Sequence, residues 1–381
     1  MWLAMSVAAS AEIAVSANDG KQMRPGDTVT TPEPDSISVL RISDGQVKLL
    51  GSVAAPAAMI GPPASVAVAK NSKFALVTSC QQLDGTKLVP NDIVSVVDLS
   101  APDNPHVVQT AHAGPGASGI SISPDGKLAL VANTEDSTIS VFTVSGEHIA
   151  KVGQVRLASG ARPTDVVFTP DGKNAVAVAQ RASSLVVLSV HGTDVKETGR
   201  SFSSGRMPYG AVVTRDGKYV INTNLGGAND APATRRPGGG GMSHQGTIAM
   251  SDLATGKVVD SVVVGPTPEH VALSADGRYI AVVVANGTAS VRSDPNFNKV
   301  FGLLKIFSVG PGTLTPVAQA DTGHWCQGAT FSRDNRTVLL QCAAEREIEV
   351  FKFNGTTLEQ DKTATIAMGA RPGAISTAFS R

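Results

Sequence analysis

The chain has 381 residues, 42% of them hydrophobic, and its 32 acidic and 32 basic side chains leave a formal net charge of zero. That length and apolar content suffice for a large core. The balanced charge gives no electrostatic footprint for nucleic acid or an anionic membrane surface. No stretch approaches the ~18 apolar residues of a membrane span.

Residues 1–11 are apolar and end in Ala9-Ser10-Ala11, an A-x-A cleavage pattern. They read as the remnant of a secretory signal, short and without a basic start, ahead of a single domain over 12–381. A periplasmic or secreted location is therefore expected, with the cytoplasm as the alternative if the segment is not a signal.

From there the chain repeats one unit. In residues 114–144, Ser121-Ile122-Ser123 alternates, Pro124-Asp125-Gly126 supplies a tight turn, residues 128–132 run apolar, and residues 138–142 alternate again. Proline sets φ at the first corner, aspartate bonds its own backbone, and glycine accepts the positive φ that closes the hairpin. The turn recurs at Asp171, Asp216, Asp276 and Asp334, with intervals of 46, 45, 60 and 58 residues, and in degenerate form at Lys70-Asn71-Ser72-Lys73. A four-stranded antiparallel unit at a period of roughly 40–60 residues predicts an all-β propeller. Six turns give six blades. The seventh is assembled from the two ends, residues 371–379 as its inner strand and residues 11–18, 36–40 and 48–53 as the rest, so that one shared blade closes the ring.

Several motifs fail on context. Gly114-Pro-Gly116-Ala-Ser-Gly119 matches G-x-G-x-x-G but leads into a strand, not a helix. No G-x-S-x-G, Walker A, H-E-x-x-H or C-x-x-C occurs. Met242 and His244 in a Gly-rich loop are two potential soft-metal ligands, too few for a site; no metal and no cofactor are expected. Cys326 and Cys342 fall opposite each other across the Asp334 hairpin, as a disulfide or as two reduced core thiols. Cys80 has no evident partner.

Aligning the blades on the proline before each inner strand collects Arg162, Arg206, Arg371, His324 and His270 at one mouth of the channel, against Asp165 and Glu269, with Tyr209 among them. Asn133, Asn224 and Asn286 end their strands on the same face. Cations drawn from distant positions into one funnel suit a small anionic ligand. Residues 225–246 and 287–302 are long insertions on that face, with 81–91 and 19–35 also extended, and long loops on a rigid scaffold form a rim for a ligand or a protein partner. A monomer is expected.

The units Ser123-Pro-Asp-Gly-Lys127 with Leu130-Val-Ala-Asn133 and Ile139-Ser-Val-Phe142, Pro268-Glu-His-Val-Ala-Leu-Ser-Ala-Asp-Gly-Arg278, and residues 306–317 together resemble the bacterial seven-bladed propellers of the lactonase and surface-layer type. The resemblance covers nearly the whole chain and implies the fold. Its wider family includes phosphogluconolactonases, carboxymuconate cyclases and non-enzymatic exported propellers, and no catalytic position carries over residue by residue.

Two functions follow as expectations. In one, a small carboxylated lactone is opened or closed, with His270 as base, His324 as acid, Glu269 or Asp165 orienting an imidazole, and Arg162, Arg206 and Arg371 holding the carboxylate with Tyr209 and the three asparagines around it. In the other, a non-catalytic exported propeller binds a small anion or presents its long loops to a protein.

Overall fold

The structure is a computed structural model that describes residues 12–24, 27, 29, 31–228, 233–235, 242–289 and 292–379, with backbone alone for 233–235 and 242–244. The Met242 and His244 side chains and the segment 1–11 lie outside what is described.

Five of the six predicted hairpin turns are built by the same three atoms, and the degenerate one at Asn71 keeps only the amide bond, from Lys73 at 3.0 Å. Ser123 Oγ donates to Asp125 Oδ1 at 2.6 Å, and that oxygen also accepts from the Lys127 amide at 3.1 Å. Thr169 with Asp171, Thr214 with Asp216, Ser274 with Asp276 and Ser332 with Asp334 repeat the bond at 2.6–2.8 Å. Gly126, Gly172, Gly217 and Gly277 close these turns at φ of 69–75°, and Asn335 does so at 62°. The hydroxyl two residues before the aspartate is the part of the motif that the turn reading had not used.

These turns join inner to second strands in five of seven four-stranded antiparallel sheets, the turn around Asn71 does so in blade one, and blade seven needs none because its two inner strands come from opposite ends of the sequence. The inner strands are Val66–Val68, Ala117–Ile122, Pro163–Phe168, Pro208–Val213, Pro268–Leu273, Cys326–Phe331 and Arg371–Thr377, which open blades one to seven. Blade seven pairs Arg371–Thr377 with Glu12–Asp19, and adds Ser36–Ser43 and Gln46–Ala54. Head and tail thus share a sheet, as expected. Blade six has a broken outer strand, Leu358–Gln360 and Ile366–Ala367, interrupted by the turn Lys362–Ala364. Residues 81–91 are not a loop: they extend the hairpin Phe74–Asp84 and Lys87–Asp98.

A sheet buried on both faces needs a partner on each, and here every blade finds two. One apolar slab fills each of the seven junctions, for example Leu130, Ile139, Val166 and Leu188 between blades two and three, and Val15, Val39, Val77 and Val97 between blades seven and one. Each buried aliphatic side chain contributes roughly 1.5–3 kcal/mol relative to exposure.

Cys326 and Cys342 are bonded to each other. They sit directly opposite in the register of blade six. Closing a loop of about 15 residues stabilises by about 3 kcal/mol in the chain-entropy picture. The double variant Cys326→Ser/Cys342→Ser should therefore lose about that much unfolding free energy in an equilibrium urea titration, with an m-value raised by the more expanded denatured chain.

Candidate functional site

Strand register defines which residues are equivalent around the axis. The residue just before each inner strand sits at positive φ in five blades: Gly116 (75°), Arg162 (51°), Met207 (53°), Thr267 (58°) and Trp325 (50°). Two members of the expected cationic ring are therefore one residue out of place. Met207 stands where Arg206 was expected, and Trp325 where His324 was. The slip has a local cause: Met207 intervenes between Arg206 and Pro208, and blade six has Cys326 in place of the aligning proline.

His324 is consequently a structural residue. Its Nδ1 lies 2.6 Å from Glu345 Oε1 and its Nε2 2.6 Å from the Phe297 carbonyl, with the Phe297 ring stacked on it at 3.9 Å. Burial disfavours the charged imidazole, but the Glu345 carboxylate and the carbonyl outweigh it and raise the pKa. Both ring nitrogens are engaged, so the residue pins the loop 287–302 to blade six.

Arg371 is equally occupied. Only 2% exposed, it donates to the carbonyls of Gln22 (3.1 Å) and Ala343 (2.8 Å) and pairs with Asp27. Arg24 lies 4.0 Å over the Trp325 ring beside it. Arg162 is different: its guanidinium is 41% exposed and reaches Glu135 only at 3.9 Å. The backbone of Arg206 bonds to Gly226 and Gly227 in the blade-four insertion.

The expected asparagine ligands are blade braces. Asn133 accepts from the Gly114 amide and donates to Thr138 and Ser140 at 2.9 Å each. Asn224 ties Asn222, Ser204 and Thr247 in the same way, and Asn18 does so in blade seven. All three are fully buried. A polar group out of water must be satisfied, and these amides satisfy their own blade. Asn286 donates to the Phe301 carbonyl at 2.9 Å and holds the blade-five loop.

What fills the channel mouth is a segment the sequence reading passed over. Residues 55–64, between the outer strand of blade seven and the inner strand of blade one, cross the axis. A Cβ on Gly61 would lie 2.7 Å from Ser118 Oγ of blade two, one on Gly210 of blade four would lie 4.0 Å from Pro62, and one on Gly373 of blade seven would lie 2.8 Å from Met59. The Gln327 amide of blade six donates to the Met59 carbonyl at 2.9 Å and accepts from Trp325 Nε1 at 3.2 Å. Pro63 meets His270 of blade five around a void of about 10 Å³. The signal was present: Ala54-Ala-Pro-Ala-Ala-Met-Ile-Gly-Pro-Pro-Ala64 has no polar side chain, which a solvent-exposed connector would not tolerate. Within 57–64, Ile60 is the exposed side chain, at 38%, while Ala57, Ala58, Met59, Pro62, Pro63 and Ala64 are buried.

Beneath this plug the structure gathers Glu269, Tyr209, Asp165 and His270. Asp165 is fully buried and accepts from the amides of Val166 (2.8 Å) and Ala211 (3.1 Å), joining blades three and four. Glu269 is 7% exposed, and burial alone raises its pKa to about 8. Tyr209 bonds the Gly61 backbone. Burial pushes its phenol well above the ordinary value, the neighbouring Glu269 and Cys80 push it further, and Arg162 opposes them. The Cys80 thiol, donating to the Ile60 carbonyl at 2.9 Å, is pushed up to about 12, chiefly by burial. At neutral pH the mouth thus holds three proton-bearing groups: a carboxylic acid, a phenol and a thiol. Among the described residues, Cys326, Cys342 and Glu349 come within 4.8 Å of one another as a group of metal-ligand type, but its two sulfurs are bonded together.

Comparison with known proteins agrees with this architecture. Residues 95–208 match the family described as Lactonase, 7-bladed beta-propeller. No curated protein matches the chain. A periplasmic gluconolactonase from Pseudomonas aeruginosa superposes with a TM-score of 0.69 at 15% identity, over 98% of this chain and 100% of that one. A Bacteroides uniformis protein assigned as a 6-phosphogluconolactonase gives 0.67 at 17%, over 96% and 99%. A hypothetical selenium-binding protein from Sulfolobus tokodaii gives 0.66 at 11%, over 98% and 95%. The resemblance to lactonase-type seven-bladed propellers therefore holds, in the fold throughout and in sequence over residues 95–208.

Glu269 makes a stability prediction with a definite sign. Its carboxyl binds a proton more tightly folded than unfolded, so stability is unaffected below pH 4.5, falls as pH rises from there, and levels off above about 8. Glu269→Gln removes this penalty. The variant should match the parent near pH 4 and exceed it by about 2–4 kcal/mol at pH 9, read by denaturant unfolding at both pH values. By contrast, Asn133→Ala should cost about 1–3 kcal/mol at every pH, through the orphaned Gly114 amide and the two hydroxyls.

Proposed function

We propose that the protein opens or closes the ring of a small anionic lactone at the plugged end of the channel. The observation that carries this reading is that two proton-bearing groups, Glu269 and Tyr209, interact under the plug and are both held in their neutral forms by burial, with His270 following Glu269 on the same strand. A lactone carbonyl gains negative charge as it is attacked. Proton-bearing donors fixed in a low-dielectric pocket stabilise that charge without reorganisation. His270 takes the proton from the attacking water, the ring C–O bond breaks, and the proton passes to the leaving oxygen. Arg162, exposed at the rim and electrostatically coupled to Tyr209, meets the substrate's anionic group. The substrate enters as residues 59–63 move off the axis. The gluconolactonase and phosphogluconolactonase among the similar structures support a sugar lactone as the substrate class. The disulfide and the signal-like residues 1–11 support an oxidising, periplasmic or extracytoplasmic setting.

The test is proton release from a panel of sugar lactones. Turnover should fall about 10²–10³-fold in Glu269→Gln, and wild-type kcat should decline as pH rises through about 8, where the acid loses its proton. Full turnover in both Glu269→Gln and Tyr209→Phe would refute the assignment. The second reading, a non-catalytic anion-binding propeller, is favoured by the plug itself, which fills the space a substrate needs. It predicts a silent panel but saturable sugar-acid binding lost in Arg162→Ala.

A further inference from the structure

The opposite end of the channel, on the hairpin-turn side, is open. It holds a cavity of about 390 Å³, within the range of small-molecule sites. Next to it, across Ser376, lies the void of about 10 Å³ beside His270, room for roughly one water, which Pro63 of the plug also borders. The cavity is therefore a blind cup rather than a pore.

Its chemistry is two-sided. Phe74, Phe168, Val212 and Leu273, from four different blades, make apolar walls. Lys70 of blade one and Arg215 of blade four stand at the rim. Neither gives its N–H groups to a carboxylate: Lys70 Nζ donates to the Pro124 carbonyl at 2.6 Å, and Arg215 donates to the carbonyls of Phe379 (2.6 Å) and Ser274 (3.4 Å). Asp125 also lines the cup, but its Oδ1 is held in its own turn by Ser123 and the Lys127 amide. Inside, Ser121 is 3% exposed and its Oγ has no hydrogen-bond partner. Leaving such a hydroxyl buried and unmet costs about 1–3 kcal/mol, which a ligand atom would recover.

We propose that this cup is a second ligand site, for a small amphiphilic anion whose apolar part lies on Phe74, Phe168, Val212 and Leu273 and whose carboxylate or sulfonate meets Lys70 and Arg215. Ser376 borders both the cup and the void under the plug, but none of the residues assigned to lactone chemistry lines the cup, which does not depend on that chemistry.

The experiment titrates the purified protein with anilinonaphthalene sulfonate by fluorescence and with octanoate by calorimetry, each competing with the other. The expected result is one saturable site per chain. Lys70→Gln/Arg215→Gln should weaken both probes at least about tenfold, the worth of one charge-assisted contact. Val212→Trp, which fills the cup, should abolish binding. Circular dichroism and thermal melts establish that each variant is folded, and the charge variant alone keeps the test decisive if the tryptophan is not accommodated. Absence of saturable binding, or unchanged affinity in a folded Val212→Trp, would overturn the site. Unchanged affinity in the charge variant would overturn the anion.

Discussion

The pairing of Glu12–Asp19 with Arg371–Thr377 is the constraint on which everything else rests. A blade cannot bury either face by itself, so each depends on two neighbours, and a ring leaves no terminal blade with a bare face only if the last strand finds the first. The strands meet antiparallel, with a register shift between Ala17 and Asn18. Around that seam stand Gln341, which donates to Ser16 and to the Ala374 carbonyl, and Glu12, which accepts from the Arg333 amide. The Gln341–Ser16 and Arg333–Glu12 bonds each span more than three hundred residues of sequence, and together with the Ala374 bond they lock blade six to the closing blade.

Inside a near-symmetric ring, function comes from the exceptions. By register, Ala64, Ser118, Thr164, Tyr209, Glu269, Gln327 and Gly373 occupy one level of the axis. Most are small because seven strands converge there and the plug needs space. Tyr209 and Glu269 are the two that carry both bulk and a dissociable proton. Their unusual acidity follows from the plug, which keeps water from solvating the charged forms.

The architecture was legible because its signals are local. Strand alternation and the Asp-Gly turn act within a few residues, and seven copies of a local signal make a ring. Placing side chains around the axis needed register to a single residue, and there proline was an imperfect marker: it put Asp165, Tyr209, Glu269 and His270 at the mouth but displaced Arg206 and His324 by one. Asn133 and Asn224 misled for a different reason. An amide at a strand end looks like a hand held out to ligand, yet once buried its own blade uses it. The disulfide could be located but not decided, since opposition across a hairpin follows from spacing while oxidation does not. The plug is legible only in composition: residues 54–64 carry no polar side chain, but they belong to no repeat and show no periodicity.

The plug is tethered on either side of the seam, leaving blade seven after Gln46–Ala54 and entering blade one at Val66–Val68. During synthesis the strand Glu12–Asp19 emerges early and waits with an unpaired inner edge, because its partner Arg371–Thr377 follows only after the six intervening blades. Met59 has no Gly373 to rest against, and the carbonyls of Gln22 and Ala343 have no Arg371, until residues 371–373 have been made. The mouth of the channel thus cannot take its finished shape before all six intervening blades have been synthesised.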